Sequence, residues 1–140
     1  MTIRWTTALE TGHRQIDLQH QELVELLDEL ATAHRAGRDD DALHDILPRL
    51  ASYVLFHFGT EEMLMAGLPA SNAHAVAHRQ AHREFTARVE TLRAQTAAGE
   101  HPSLGPLVDY LQAWLLEHIM NTDRELVVLI AGHPAGRPPI

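Results

Sequence analysis

The stretch HFGTEEMLM, residues 57–65, places a histidine four residues before a glutamate. On an α-helix this spacing puts His57 and Glu61 about 40° apart on one face, so that both could bind one metal ion. A pair of this kind is more often a solvated surface pair. Here the neighbouring Phe56 and Phe58 belong to one of the most apolar segments of the chain, and polar groups buried there need a strong partner. The pair therefore indicates a candidate metal site.

Three further histidines recur at four-residue steps in the stretch HAVAHRQAH. His74, His78 and His82 would stack on one helix face, and this spacing is the one that two-histidine metal sites on helices use. Either adjacent pair could chelate an ion. The alternative is a polar, pH-sensitive stripe on the surface.

Single histidines occur in two other apolar segments. His20 lies three residues before Leu23, where a lone histidine is usually a buried or boundary residue without a ligand role. His118 stands in the run WLLEHIM, and Asp123 follows it five residues later. Five residues of an ideal helix leave two side chains about 140° apart. If Asp123 shares a site with His118, we expect a local π-type widening or an off-axis reach near Asn121.

The composition restricts the chemistry further. The 140 residues include eleven histidines and no cysteine, which excludes disulfides, thiolate zinc sites and cysteine nucleophiles. The formal net charge of -8 makes nucleic acid and anionic membranes unfavourable partners. The sequence has neither a signal-peptide pattern nor an apolar run of about 20 residues. We therefore expect a cytoplasmic protein of one domain, residues 1–140, without a membrane span.

Four long segments have helical periodicity and are separated by short stretches rich in glycine, proline and aspartate. Pro48 interrupts the second segment, so that this helix either bends there or begins there. Ser71 or Asn72 is the candidate N-cap of the third. The predicted helices run from about residue 16 to 36, 39 to 66, 71 to 98 and 103 to 131. These lengths and short connections predict an all-α, up-down-up-down antiparallel four-helix bundle.

Both ends of the chain are predicted to lie outside this bundle, which spans residues 16–131. Residues 1–15 contain Trp5 and Gly12 and are predicted to form an extended N-terminal arm, with Trp5 as an aromatic anchor on the bundle. The tail GHPAGRPPI, residues 132–140, is too rich in proline and glycine for regular structure, and we expect it to be flexible.

A bundle core is where facing helices can bring metal ligands together. Every predicted helix supplies histidine, and two supply a carboxylate. The candidates are His20, His57, Glu61, His118, Asp123 and one adjacent pair from the stripe His74, His78 and His82. Five imidazoles and two carboxylates are too many for one ion and suit two ions bridged by the carboxylates. The alternative is a metal-free helical scaffold with histidines on its surface.

Four motifs, in this order, resemble those of hemerythrins in their bacterial single-domain form. They are IDxQH at residues 16–20, HFxxEE at 57–62, HxxxHxxF at 78–85 and WLxxHIxxxD at 114–123. The resemblance covers about residues 5–125. It favours His78 with His82 over His74 with His78, because Phe85 then completes the third motif.

This resemblance implies a non-heme di-iron centre. One iron ion would be held by His78, His82 and His118, and the other by His20 and His57. Glu61, Asp123 and an oxo or hydroxo group would bridge the two ions. Leu23, Phe58, Trp114 and Leu115 match positions of the family's apolar dioxygen pocket, and they are also suitable for ordinary bundle core.

The function implied is reversible dioxygen binding for storage, delivery or sensing, without a catalytic residue. The alternatives are a di-iron enzyme acting on peroxide or nitric oxide, and a redox or O2 sensor. We expect a monomer that could pass dioxygen to an O2-consuming partner protein. Two features depart from the family: the additional His74, and His13 directly after Gly12. The remaining histidines, at helix ends or in loops, are expected to be solvated: His34, His44, His101 and His133.

Overall fold

The computed structural model describes residues 4–132, and in that range the chain forms four long helices and no strand. Helix α1 is Arg14–Arg35 and helix α3 is Ala73–Ala97. Helix α2, residues 39–65, joins the segments Asp39–Asp41, Ala42–Ile46 and Leu47–Met65. Helix α4, residues 104–132, joins Leu104–Glu117, His118–Asp123 and Arg124–Gly132. The predicted up-down-up-down four-helix bundle is confirmed, with α1 packed against α2 and α4, and α2 against α3.

Helix α1 begins two residues earlier than predicted, because the residues before it satisfy its free backbone N–H groups. The Nδ1 atom of His13 accepts a hydrogen bond from the Ile16 N–H at 3.3 Å. The Asp17 carboxylate in turn accepts hydrogen bonds from the N–H and hydroxyl of Thr11 at 2.8 and 2.7 Å. His13 is therefore the N-cap of α1, a role that the sequence analysis did not assign to it.

Helix α2 begins at Asp39 and continues through Pro48, so that the alternative in which it begins at Pro48 is wrong. The segment Ala42–Ile46 just before the proline is a π-helical turn, in which the Leu47 N–H bonds to the Ala42 carbonyl. Proline removes one hydrogen bond and crowds the preceding turn. The wider turn lies where this crowding occurs.

The other predicted ends are only partly correct. The arm is not extended throughout, because Thr7–Leu9 forms a 3-10 turn that buries Leu9, while Trp5 packs on the core half-buried. Of the two candidate caps, Asn72 caps α3, accepting the Ala75 N–H at 3.0 Å. Residues 1–3 of the arm and 133–140 of the predicted tail, with His133, lie outside the described residues; Gly132 ends α4.

The apolar core consists of two clusters of unequal size. The larger core cluster contains most of the buried aliphatic residues, together with Phe58 and Phe85. The smaller core cluster lies at one end of the bundle and contains Ile16, Met65, Leu68, Ala75, Leu126 and Ile130. Along every helix, buried polar residues separate the residues of one cluster from those of the other.

None of the helices in residues 4–132 combines the length and apolar character that crossing a membrane requires.

Candidate metal centre

Seven polar side chains form a layer between the two core clusters, and none is more than 2% exposed. This polar layer consists of His20, His57, Glu61, His78, His82, His118 and Asp123. The structure therefore brings together all seven residues that the sequence analysis selected. Burying so many ionisable groups is costly unless each finds a strong partner.

The polar atoms of the layer fall into two groups, in each of which one atom from every residue lies within 4.8 Å of the others. The first group contains three histidines, His78, His82 and His118, with Glu61. The second contains two histidines, His20 and His57, with Glu61 and Asp123. Glu61 belongs to both groups, which therefore adjoin each other.

The two carboxylates both contact histidines of the two groups. Asp123 places Oδ2 2.6 Å from His20 Nε2 and Oδ1 2.9 Å from His118 Nε2. Glu61 Oε1 lies 3.2 Å from His57 Nε2 and 3.1 Å from His82 Nε2. Both carboxylates therefore lie between the histidines of the first group and those of the second.

A chain of hydrogen bonds outside the layer fixes the orientation of His57. Thr60 Oγ1 donates to the Phe56 carbonyl at 3.2 Å and accepts from Gln19 Nε2 at 3.0 Å. The Gln19 carbonyl oxygen therefore faces His57 Nδ1, at 2.8 Å. Because that oxygen can only accept, Nδ1 carries a proton, and Nε2 faces the layer, where it offers a lone pair whenever the ring is neutral.

His82 is held in the same orientation by a carboxylate. Its Nδ1 lies 3.1 Å from Glu62 Oε2 on the outer side, and its Nε2 points into the layer. A carboxylate behind a metal-binding histidine fixes the ring and makes its inner nitrogen a better donor.

Several polar atoms inside the layer have no hydrogen-bond partner. Glu61 Oε2, Asp123 Oδ1 and His57 Nε2 are buried and make no hydrogen bond, although His118 Nε2 lies only 2.9 Å from Asp123 Oδ1. Lone pairs and carboxylate oxygens facing one another repel unless a proton or a metal cation lies among them. Imidazole and carboxylate are ligands of first-row transition metals, iron included. The donor set therefore fits a pair of such ions.

The pKa values of the buried histidines and carboxylates also show that positive charge is stabilised in the layer. Burial lowers the pKa of His57, but Asp123 and Glu61 outweigh burial and raise it to about 9. In His118 burial is outweighed by the same two carboxylates, and the pKa rises to about 10. Burial and the nearby Asp123 carboxylate raise the pKa of Glu61. Hydrogen bonds from His118 and His57 outweigh both and bring that pKa well below its usual range. The Asp123 pKa is also low, because the charge of His118 outweighs burial.

Asp123 reaches the layer because α4 widens locally. The segment His118–Asp123 is π-helical, with backbone hydrogen bonds between residues five apart, and this widening brings Asp123 to the same side of α4 as His118. The prediction of a π-type widening near Asn121 is confirmed.

Aromatic rings cover the layer on the side of the larger core cluster. Phe58 stacks on His82 with 3.7 Å between ring centroids, and Trp114 stacks on His118 at 4.4 Å. The two other residues predicted for an apolar pocket, Leu23 and Leu115, are buried in the same cluster. All four therefore belong to the apolar core beside the layer or pack against it.

The other histidines among residues 4–132 lie outside the layer. His74 is in neither group of ligand atoms; its ring contacts His78 and Glu125. His34 and His44, expected to be solvated, contact Asp39 Oδ1 and the Asp40 carbonyl, both at 2.9 Å.

Comparison with known proteins agrees with this geometry. Residues 11–130 match the family model described as Hemerythrin HHE cation binding domain. The chain belongs to the hemerythrin family.

Several relatives within the hemerythrin family cover most of the chain. It is 36% identical over 121 residues to a Bacteriohemerythrin of Pseudomonas aeruginosa (strain LESB58), covering 85% of this chain and 75% of that protein. It is 31% identical to a Bacteriohemerythrin of Stenotrophomonas maltophilia (strain R551-3), covering 92% and 82% of the two chains. Myohemerythrin-1 of Phascolopsis gouldii is 32% identical over 77 residues, covering 55% of this chain and 57% of that protein.

The sequence analysis missed the residues that support the layer from outside. Gln19 and Glu62 stand directly beside His20 and Glu61 in two of the hemerythrin motifs, a signal that was present but not used. Thr60 stands directly before Glu61 in the same motif and was not used either, whereas Glu125 lies outside the four motifs.

Proposed function

We propose that the polar layer holds two iron ions and that the protein binds dioxygen reversibly there, for storage, delivery or sensing of oxygen. The observation that carries this proposal is the pair of adjoining ligand groups joined by two buried carboxylates. Membership of the hemerythrin family, whose relatives bear the names Bacteriohemerythrin and Myohemerythrin-1, supports it.

In this proposal, His78, His82 and His118 hold one iron ion and His20 and His57 hold the other. Glu61 and Asp123 would be shared by the two ions, together with an oxo or hydroxo group. When bound, the iron pair supplies two electrons and an open coordination position for dioxygen. Dioxygen would bind on the side of the two-histidine group, where the chain offers fewer imidazoles.

The chain's own residues keep this site dry and its ligands in place. Phe58 and Trp114 cover His82 and His118 with their rings, and Leu23 and Leu115 belong to the apolar cluster on the same side. We infer that these four residues exclude water from bound dioxygen. Gln19 and Glu62 hold the rings of His57 and His82 with the donor nitrogens inward.

The composition of the donor set favours reversible binding over oxidative catalysis. The ligands are five histidines and only two carboxylates, whereas the di-iron sites of ferritin-like proteins are built from four glutamates and two Glu-x-x-His histidines. Anionic ligands stabilise highly oxidised iron. A histidine-rich site therefore favours the diferrous and diferric states between which an oxygen carrier alternates.

The test is an optical titration with an iron count. Protein loaded with Fe²⁺ is reduced without air, exposed to O2 and then flushed with inert gas. We expect two irons per chain and a visible charge-transfer band that appears with O2 and disappears on flushing. A direct change to a stable diferric spectrum would contradict reversible binding and point to an enzyme acting on peroxide or nitric oxide, or to a redox sensor.

The identity of the metal is tested by competition. We expect protein isolated from cells grown with iron, zinc and manganese to contain iron. Zinc or manganese in place of iron would contradict the proposal, since histidine and carboxylate ligands also accept those ions.

A further inference from the structure

His74 stands one helical turn before His78, and both nitrogens of its ring are engaged. Its Nε2 lies 2.9 Å from His78 Nδ1, and its Nδ1 lies 2.9 Å from Glu125 Oε1. The His74 side chain is only 7% exposed, whereas that of Glu125 is 64% exposed. The three side chains form a line from the surface to the polar layer.

This line runs along a groove of about 430 Å³ between α3 and α4. His74, His78 and Glu125 all line the groove, so that it leads from solvent to the outer side of the layer. Glu117 lines it as well, but its carboxylate accepts a hydrogen bond from Asn121 and contacts no histidine of the layer. Glu117 therefore offers a matched comparison for Glu125.

The chemistry of the three groups determines which atoms carry protons. The Glu125 carboxylate can only accept, so that His74 Nδ1 donates to it. The neutral His74 ring then has a lone pair on Nε2 and accepts from His78 Nδ1–H. His78 is left with its lone pair on Nε2, which lies 3.1 Å from Asp123 Oδ1 inside the layer. An exposed carboxylate thus sets the tautomer of a buried histidine through a second imidazole.

We propose that His74 and Glu125 are positioning residues for the metal centre, which hold His78 as a ligand and strengthen its donor nitrogen. This inference rests on the proposed function, because it requires a metal ion in the three-histidine group. The negative charge of Glu125, transmitted through His74, draws the Nδ1 proton of His78 outward. Its Nε2 therefore becomes a stronger donor and stabilises the more oxidised metal.

The outer contacts make the two ligand groups unequal. In the three-histidine group, His82 is backed directly by the Glu62 carboxylate and His78 indirectly by that of Glu125. In the two-histidine group, His57 is backed by the neutral amide of Gln19. An ion in the three-histidine group would therefore be held more tightly than its neighbour, and His74 would contribute to this difference.

The experiment uses the full chain loaded with iron, as wild type and as the variants His74→Ala, Glu125→Gln, their double variant and Glu117→Gln. One readout is the rate at which the reduced protein gives up Fe²⁺ to a coloured ferrous chelator without air. The other is the reduction potential of the iron pair. All variants are expected to bind two irons per chain, because none removes a ligand.

We expect the slower phase of Fe²⁺ release to accelerate roughly tenfold in His74→Ala, the lower end of the effects seen when outer partners of metal ligands are removed. Glu125→Gln should show a smaller change of the same sign, and both variants should shift the potential to more positive values. Glu117→Gln should behave as wild type, although it also removes one negative charge from the groove.

The double variant distinguishes a chain of contacts from a general effect of charge. If Glu125 acts through His74, adding Glu125→Gln to His74→Ala changes neither the release rate nor the potential further. Additive effects, or single variants equal to wild type, would overturn the inference. A wild-type protein that holds two irons but shows no reversible O2 spectrum would contradict the proposed function alone, since the release rates still decide the role of His74.

Discussion

Three histidines of the polar layer are oriented by the contacts that their outer nitrogens make. Gln19 fixes His57, Glu62 fixes His82, and His74 lies against His78. In each case the outer contact is made by Nδ1, and Nε2 faces the layer. These rings are therefore oriented without a metal ion, which would reduce the cost of binding one.

Replacing His118 by Ala should reduce the iron content from two ions per chain to at most one. His118 Nε2 lies 2.9 Å from Asp123 Oδ1 and 3.5 Å from Glu61 Oε1, and no other side chain of its group can take its place. The measurement is metal analysis of purified protein. His101→Ala, at an exposed position, is the control and should retain two. Two irons in His118→Ala would refute the ligand assignment.

The metal-free protein should lose stability as the pH rises from neutral to about 10. The pKa values of His57 and His118 are raised from 6.5 to about 9 and about 10, so that their protonation stabilises the folded state fully below pH 6.5. This stabilisation is lost as the pH passes through the raised values. Since 1 kcal/mol shifts Tm by roughly 4 °C in a domain of this size, thermal unfolding followed by circular dichroism should resolve it.

The metal-loaded protein is the comparison, because bound ions replace these protons. Its Tm should change less over the same pH range. Equal pH dependence with and without metal would show that the two histidines do not bind it.

At this scale the sequence was sufficient to select the seven residues of the layer but not the residues that contact them from outside. The i, i+4 spacing and the four motifs predicted all seven residues of the layer. Contacts such as that between Gln19 and His57 join different helices, so that no spacing within one helix reveals them. His13 was missed because imidazole is a less usual helix cap than Ser, Thr, Asp or Asn.

At the level of helices, the π-helical turn His118–Asp123 decides which residue of α4 reaches the layer. Asp123 is fully buried and Thr122 only half-buried. The five-residue spacing predicted this turn because an ideal helix would have presented Thr122 instead. The second π-helical turn, Ala42–Ile46, was not predicted, because Pro48 indicates a disturbance without determining how the helix accommodates it.

Moving the carboxylate by one residue should abolish its contribution to the site. In the double variant Thr122→Asp with Asp123→Thr, composition is conserved and the carboxylate takes the position that an uninterrupted α-helix would favour. We expect fewer than two irons per chain, because the π-helical turn directs residue 123 to the layer. Thr122→Asp alone keeps Asp123 and should retain both ions; full iron content in the double variant would argue against the turn's role.

At the scale of the whole molecule, the polar layer connects two apolar clusters that differ in size. The six buried residues of the smaller core cluster come from all four helices and from Leu68, just after α2. The bundle, its helix order and its approximate ends could be predicted from periodicity and short connections. The division of the core could not, since it depends on the heights at which the helices meet.

Removal of the metal should loosen the smaller core cluster more than the larger one. Six buried apolar residues provide little stability by themselves, and the layer connects them to the rest of the bundle. We expect backbone amides near Ile16, Met65 and Leu126 to exchange hydrogen faster in metal-free protein, with less change near Leu30 and Leu107. Hydrogen exchange measured by mass spectrometry tests this, and a uniform increase along the chain would contradict it.

The layer also restricts how the four helices can be aligned along the bundle axis. A helix shifted by one residue moves its side chains by about 1.5 Å along the axis and about 100° around it. Hydrophobic packing is non-directional and can tolerate such a shift with some repacking. Seven side chains that must meet at one height cannot. The same groups that would bind metal therefore select a single axial alignment among those that an apolar core alone would allow.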